Sequence, residues 1–550
     1  ILTVLALHPI IPRMETHFLG ERQFETYTTL ILLDWFRDAI FEEGHNPVFS
    51  SRISYPFGFN YGLSEAWFPL IVASVFVQLT SLTLGYNISL SVFVFLSFLA
   101  CSLLMEEFAD NPRTVLLGAI VATANSVTAY ALYYDNALYT ILTIFIPIGM
   151  LLALKLYKGV KRKPLLLAIA LGVVLLLAFM TCYYHLFMLL FFLIFLCGRA
   201  AFTGKNKKTF LTCIVVSGGV LLVGVLIWIA VFTNFPSGQE LIRHYYQFGR
   251  YHEWTQFKEK QVFRKNFTLL INANKEKNPA MAPGSKLIMF RNVTPLVNTL
   301  IPGKDLYVGW VLLIGVCGAL IIRLKKNLFF FLTGFFFLLL ALGPKLGFGS
   351  YVVYNPITII LKWFPGLSQL CVTNKYLLMT FLCWGIIITG TLEQAFSSKR
   401  KTIRLTAYFL AAALILESLG VLFLHRTYTF TITPNEADIV IRDDPSPGAV
   451  FDLTHFNCHH MKYNLGPFNT GGTPDLSTEL DMGPIEQIFH GKPVVGISFA
   501  NGTAMMNFPP ILFSAVIKEQ CYKAWIREDN AADFDAYRAS VLKMWRGFNI

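Results

Sequence analysis

The feature that most constrains this chain is the recurrence of apolar runs long enough to cross a bilayer. Crossing the hydrocarbon core takes about 20 predominantly apolar residues in an α-helix. Such runs recur along the chain, for example around 138–157, KTFLTCIVVSGGVLLVGVLIWIAVF at 208–232 and LTAYFLAAALILESLGVLFL at 405–424. Lipid offers no hydrogen-bond partner to an open backbone, so these runs must fold as helices and pack as a bundle. Only 14% of the residues are charged, where a soluble chain carries about 25%. The reading is a mainly α, polytopic transmembrane bundle.

The net charge of +12 is concentrated in short clusters between the runs: KGVKRK at 158–163, GKNKK at 204–208, RLKK at 323–326 and SSKRKTIR at 397–404. Basic residues in short loops stay on the cytoplasmic side, so the charge orients a membrane protein and is no footprint of nucleic acid. Ten spans are expected, near 88–106, 114–133, 139–157, 164–181, 184–200, 209–233, 306–323, 327–345, 374–395 and 405–424. An eleventh is read as cut short at Ile1. Alternation then puts all four clusters inside. It puts 13–87, the turn at 134–138, 234–305, 346–373 and everything after 425 outside. Residues 65–84, EAWFPLIVASVFVQLTSLTL, could also cross, but crossing would invert every later cluster. They read as an interfacial or re-entrant helix. The expected domains are a membrane part, 1–424, and an extracytoplasmic α/β domain, 425–550, where the apolar runs become short and interrupted.

Cysteines carry little: there is no C-x-x-C spacing. The sequons at Asn87, Asn266, Asn292 and Asn501 all fall on the expected outer side.

Carboxylates crowd the first outer loop. Glu15, Glu21 and Glu25 lie at the mouth of the first span, and Asp34, Asp38, Glu42 and Glu43 follow on an amphipathic segment, 24–43. The later acids read as a solvated face. Glu21 and Glu25 stand four residues apart, where like charges repel by a few tenths of a kcal/mol. A carboxylate pocket at a bilayer surface suits a base acting on a hydroxyl, or a divalent cation such as Mg or Mn. Glu417, within an apolar span, is either a functional acid or an interhelical contact. His455, Cys458, His459 and His460 are metal-ligand types close together, without a second cluster at finger spacing.

The segment Gly20-Glu21, Gln23-Phe24, Gly44-His45-Asn46-Pro47 and Tyr55-Pro56-Phe57-Gly58 resembles the first outer loop of GT-C type polytopic glycosyltransferases. Further pieces match in order: IPIGMLLALKLYKGVKRK, GWVLLIGVCGAL, LALGP at 340–344, FPGLSQLCVTNKYLLM at 364–379 and EQIFHGKPVVG at 486–496. The resemblance covers nearly the whole chain. It implies a multi-pass enzyme of the cytoplasmic membrane that serves the cell envelope. Its partners would be the bilayer, a polyprenyl-phosphate-linked sugar and an unidentified acceptor on the outer face. It implies that Glu21 is the general base or holds a metal, although the family more often carries Asp there. It puts a second acid at Asp135, in the outer turn YYDNALYT, with Glu25 beside Glu21. An inverting transfer needs one base and cations for the departing phosphate. Lys375, Arg243, His244 and Arg250 are the cations at the outer boundary, unless they only anchor the interface by snorkelling. Lys375 falls where the family usually has Arg, and a second usual Arg is Cys371 here. Rival readings are a transporter or flippase of a lipid-linked saccharide, and a non-catalytic scaffold presenting the C-terminal domain.

Overall fold

The structure, a computed structural model, describes residues 7–8, 10–20, 24–50, 59–60, 66–135, 138–159, 163–203, 207–233, 294–295, 299, 304, 306–343, 345–348, 351–355, 373–424, 429–431 and 443. These fall into two compact units. One comprises Ile1–Arg22, Glu65–Ile229 and Met289–Thr431; the other comprises Gln23–Ser64, Ala230–Ile288 and Ile432–Ile550. The C-terminal α/β domain expected over 425–550 lies almost wholly outside the described residues.

The fold is mainly helical. In the first unit, α2 (Trp67–Leu79) and α3 (Leu82–Met105) are followed by α4 (Pro112–Thr123), α5 (Ser126–Tyr130), α6 (Leu138–Ile141) and α7 (Phe145–Lys158). Then come α8 (Pro164–Thr181), α9 (Tyr183–Thr203), α10 (Lys207–Thr233), α11 (Trp310–Ala341), α12 (Leu377–Phe396) and α13 (Lys401–Leu424). Among the described residues seven helices are long and apolar enough to cross a membrane, and an eighth if the bent pair α4 and α5 counts as one. The 13 residues of α2 span about 20 Å, too little to cross. This helix turns back through Thr80 and Ser81 onto α3, where Gly85 lets the two backbones touch at Val77.

Helix α11 is a hairpin. Arg323 has φ −145° and ψ 51°, which breaks the helix. Asn327 Nδ2 donates to the Ala319 carbonyl at 3.0 Å. In a continuous helix those residues would stand about 12 Å apart along the axis. Gly334 receives the Thr380 hydroxyl on its carbonyl while Gly315 lies against Ile388, so both limbs run beside α12. The two spans expected at 306–323 and 327–345 are these limbs, and the turn between them carries the RLKK cluster.

Two expected spans are interrupted. At 114–133 the helix stops at Ala124 and restarts with a bend of 52°. Asn125 repairs the break: its carbonyl oxygen accepts from Val127 and Thr128 N–H, and its amide donates to Ala122 O. At 139–157 the chain breaks between α6 and α7, where Ser97 Oγ donates to Ile141 O and accepts from Thr143 N–H. At both breaks a side chain takes over backbone groups that the helix releases, as an apolar surrounding requires.

The segments bordering the basic clusters meet at one end of this unit. Glu107 pairs with Lys155 at 3.3 Å and Lys158 at 2.8 Å, and Phe108 meets Phe330 edge-on. Arg199 lies over Phe329 and Tyr157, and Glu393 accepts from Asn111 N–H. The opposite end is tied by two-residue strands. Antiparallel β1 (Phe18–Leu19) pairs with β2 (Thr429–Phe430), Phe18 against Phe430. Asn87 underpins β1, donating to Met14 O and His17 O and accepting from Leu19 N–H. Asn87 is fully buried and both amide hydrogens are used. The sequon there therefore marks a structural asparagine, not a glycan acceptor.

In the second unit, α1 (Phe24–Arg37) runs into a π-turn at Asp38–Glu42. Leu30, Ile31, Leu32 and Leu33 are all buried, so the helix is covered on more than one face. Arg37 pairs with Asp34 at 3.0 Å, with Asp38, and with Glu42 at 3.7 Å. Burial opposes its charge, yet Asp34 and Asp38 outweigh that and hold the guanidinium pKa above its usual value. Asp38 is 6% exposed. The expectation that it faces water is corrected by this ion pair. Glu42 and Glu43 do lie at the surface.

Candidate active site

Lys375, expected at the outer boundary, lies among the described residues. It sits in a 3-10 turn, Thr373–Tyr376, that leads into α12. The far end of α12 reaches the basic end at Glu393, about 30 Å away by helix geometry. Lys375 therefore stands at the end of the bundle opposite the basic clusters.

Its surroundings are aromatic and buried. Lys375 is 3% exposed, and its ammonium lies 5.2 Å from the centre of the Tyr184 ring. That ring meets Tyr376 edge-on at 5.5 Å, and Tyr376 stacks on Phe337. A ring face stabilises a cation by about 0.5–2 kcal/mol, more as water is excluded. Asn374, 7% exposed, adds an amide.

The chain breaks locally to build this corner. Helix α8 ends at Thr181, Cys182 turns extended at φ −160°, and α9 restarts at Tyr183. Its first turn presents Tyr184 to the turn that holds Lys375, and His185 follows Tyr184 in the chain. The Lys375 charge acts on His185, which is 1% exposed. The sequence reading missed His185. Its signal was a histidine directly after TCYY, inside an otherwise apolar stretch.

The carboxylates are placed less fully. Asp135 closes a π-turn, Ala131–Asp135, beyond the break at Asn125. Since α4 starts at the basic end, Asp135 lies on the same far half of the unit as Lys375. Glu25 is at the second position of α1, in the other unit. Glu21, Arg243, His244 and Arg250 lie outside the described residues, as do 455–460 and the HGKP run at 490–493. Among the described residues no group of three or more His, Cys, Asp or Glu is arranged to hold a metal ion.

Glu417 has a different task. Its carboxylate accepts from Tyr307 Oη at 2.8 Å, from Val311 N–H at 3.0 Å and from Leu312 N–H at 3.1 Å. The Val311 and Leu312 N–H groups are orphan donors of the first turn of α11. A negative charge is also favoured at that helix end. Gly309, at φ +98°, brings the chain so close that a Cβ there would meet the carboxylate at 2.7 Å. Glu417 is a helix cap between two spans, which resolves the two readings of an intramembrane acid in favour of the interhelical contact.

No family model and no curated protein sequence matches the chain. Solved structures do. The archaeal oligosaccharyltransferase AglB from Archaeoglobus fulgidus, solved with an inhibitory peptide and a dolichol-phosphate, aligns with 100% of this chain and 68% of its own at TM-score 0.53 and 12% identity. An Archaeoglobus fulgidus oligosaccharyltransferase solved with Zn and sulfate aligns with 100% of this chain and 66% of its own at TM-score 0.54 and 15% identity. The chain thus spans about two thirds of each neighbour. The architecture expected from the motifs of the first loop is borne out: this chain has the GT-C type fold of a polytopic membrane protein.

Proposed function

We propose that this protein is a membrane glycosyltransferase that moves a sugar from a polyprenyl-phosphate carrier to an acceptor on the outer face. The observation that carries the reading is the buried Lys375, at the end of a GT-C bundle opposite its basic clusters. A dolichol-phosphate is a polyprenyl phosphate, and its presence with one structural neighbour supports this class of donor. Leaving phosphate gains negative charge as the glycosidic bond breaks. A preorganised ammonium in a water-poor corner stabilises that charge far more than it would in water.

In this reading Glu21 removes the acceptor proton and the sugar inverts in a single displacement. Asp135 assists by orienting the acceptor or by sharing a divalent cation with Glu21, and Glu25 is a further acid of the first loop. Arg243, His244 and Arg250 are further phosphate contacts, and residues 425–550 form an extracytoplasmic domain that guides the acceptor. Sugar transfer by purified protein from a labelled polyprenyl-phosphate donor tests the reading. Turnover that disappears in Glu21→Gln supports it. Movement of the intact lipid-linked sugar between leaflets without transfer would replace it by a flippase.

A further inference from the structure

We infer that His185 is a second ligand of the same phosphate group, beside Lys375 in one electropositive corner. This rests on the reading of the protein as a polyprenyl-phosphate-dependent transferase and adds a residue to it.

Three observations converge. First, His185 Nδ1 is buried and has no hydrogen-bond partner, although the ring is 1% exposed. An unsatisfied buried polar atom is costly in a native fold, so a ligand that pairs with Nδ1 would recover that cost. Second, the corner is positive from several sources. The 21-residue α9 begins two residues before His185, and the 20-residue α12 begins two residues after Lys375. Helix starts present the positive end of the dipole. The Lys375 ammonium adds a full charge that acts on His185. Third, the rings of Tyr184 and Tyr376 stand beside the ammonium, and both Lys375 and His185 are almost fully buried. Two helix starts, one ammonium and one unpartnered imidazole favour a compact anion with several acceptor oxygens. A phosphate ester has this form. Lys375 supplies a charge without directional preference, whereas the imidazole in its Nδ1–H tautomer donates one directed hydrogen bond. Together they fix both the place and the orientation of the group.

The test uses the full chain in nanodiscs and two probes, a short-chain polyprenyl monophosphate and the matching uncharged polyprenol. His185→Phe keeps a ring but removes the donor. It is expected to weaken monophosphate binding about tenfold, the scale of one hydrogen bond to a charged group, and to leave polyprenol binding unchanged. His185→Asn, which returns an N–H near Nδ1, is expected to recover most of the loss. In turnover, His185→Phe should raise KM for the donor more than it lowers kcat. If Lys375→Gln weakens phosphate binding and His185→Phe does not, the role of His185 fails while the transferase reading stands. Equal weakening for both probes would make His185 a packing residue and overturn the inference. Wild-type protein that does not bind monophosphate more tightly than polyprenol would overturn the donor class as well.

Discussion

Glu417 reaches across from α13 to the first turn of α11, and both of its carboxylate oxygens lie within 3.1 Å of the Val311 amide nitrogen. Ser126 adds a second tie at the same junction by donating to Tyr307 O at 2.8 Å. Glu417→Ala should destabilise the folded protein by about 1.5–3 kcal/mol, the worth of hydrogen bonds to a charged group. Glu417→Gln, which still accepts hydrogen bonds, should cost about half as much. Unfolding in mixed detergent micelles reads the difference. Unchanged stability with lost turnover would return Glu417 to the list of catalytic candidates.

Acid should loosen the opposite end. Burial opposes ionisation of Glu107, but hydrogen bonds and charges from Lys158 and Lys155 outweigh it and hold the carboxyl below its usual pKa. Such a group adds stability above the unfolded-state pKa of about 4.3, and the gain is lost as pH falls through the lower folded value. Melting temperatures of wild type and Glu107→Gln should differ at pH 7 and converge below about pH 4. A gap that persists at pH 3 would mean that the charge of Glu107 is not what matters.

Asn87 should behave as a strut. Asn87→Ala leaves Met14 O, His17 O and Leu19 N–H without their partner, at a cost of about 1–3 kcal/mol. Expression in a host that glycosylates N-x-S/T sites should show no glycan at Asn87. A shift in gel mobility that Asn87→Gln abolishes would contradict the burial seen here.

The acids of the first loop should not be equivalent. Glu21→Gln removes a proposed general base, a change that typically costs about 10²–10⁴-fold in rate. Glu42→Gln changes an exposed end of the Arg37 cluster and should leave turnover within about twofold of wild type, as surface ion pairs contribute little. Transfer assays at equal folded yield decide this, and full activity in Glu21→Gln would remove the base from the mechanism.

Single cysteines should confirm the orientation. Positions within 158–163 and 397–404 should react with an impermeant thiol reagent only from the cytoplasm, and position 470 only from outside. The reverse pattern would move Lys375 and Asp135 to the wrong side for an outer-face reaction.

Much of the bundle was legible in the sequence because lipid leaves few options for a long apolar run. The hairpin at Arg323 could be read because RLKK interrupts such a run with charges that must leave the membrane. The breaks at Asn125 and between Ile141 and Phe145 could not, since apolar residues continue through them and the repairing groups, Asn125 and Ser97, are small. Asp38 looked solvated by composition; its sequence neighbour Arg37 pairs with it, and only the fold buries it. Lys375 was found through a motif. His185 was not, because its neighbours in the corner come from a helix nearly two hundred residues later in the chain.

The short pairing of Phe18–Leu19 with Thr429–Phe430 has a consequence for biogenesis. The strand that follows the first segment finds its partner only after some four hundred further residues have been translated, which takes about 20–80 s at ordinary rates. Until then the first loop has no anchor on that edge, and its backbone groups are open to a translocon or chaperone partner. Closure of β1 on β2 thus waits for residues 429–430, and a chain halted before α13 would leave Phe18–Leu19 without this strand partner.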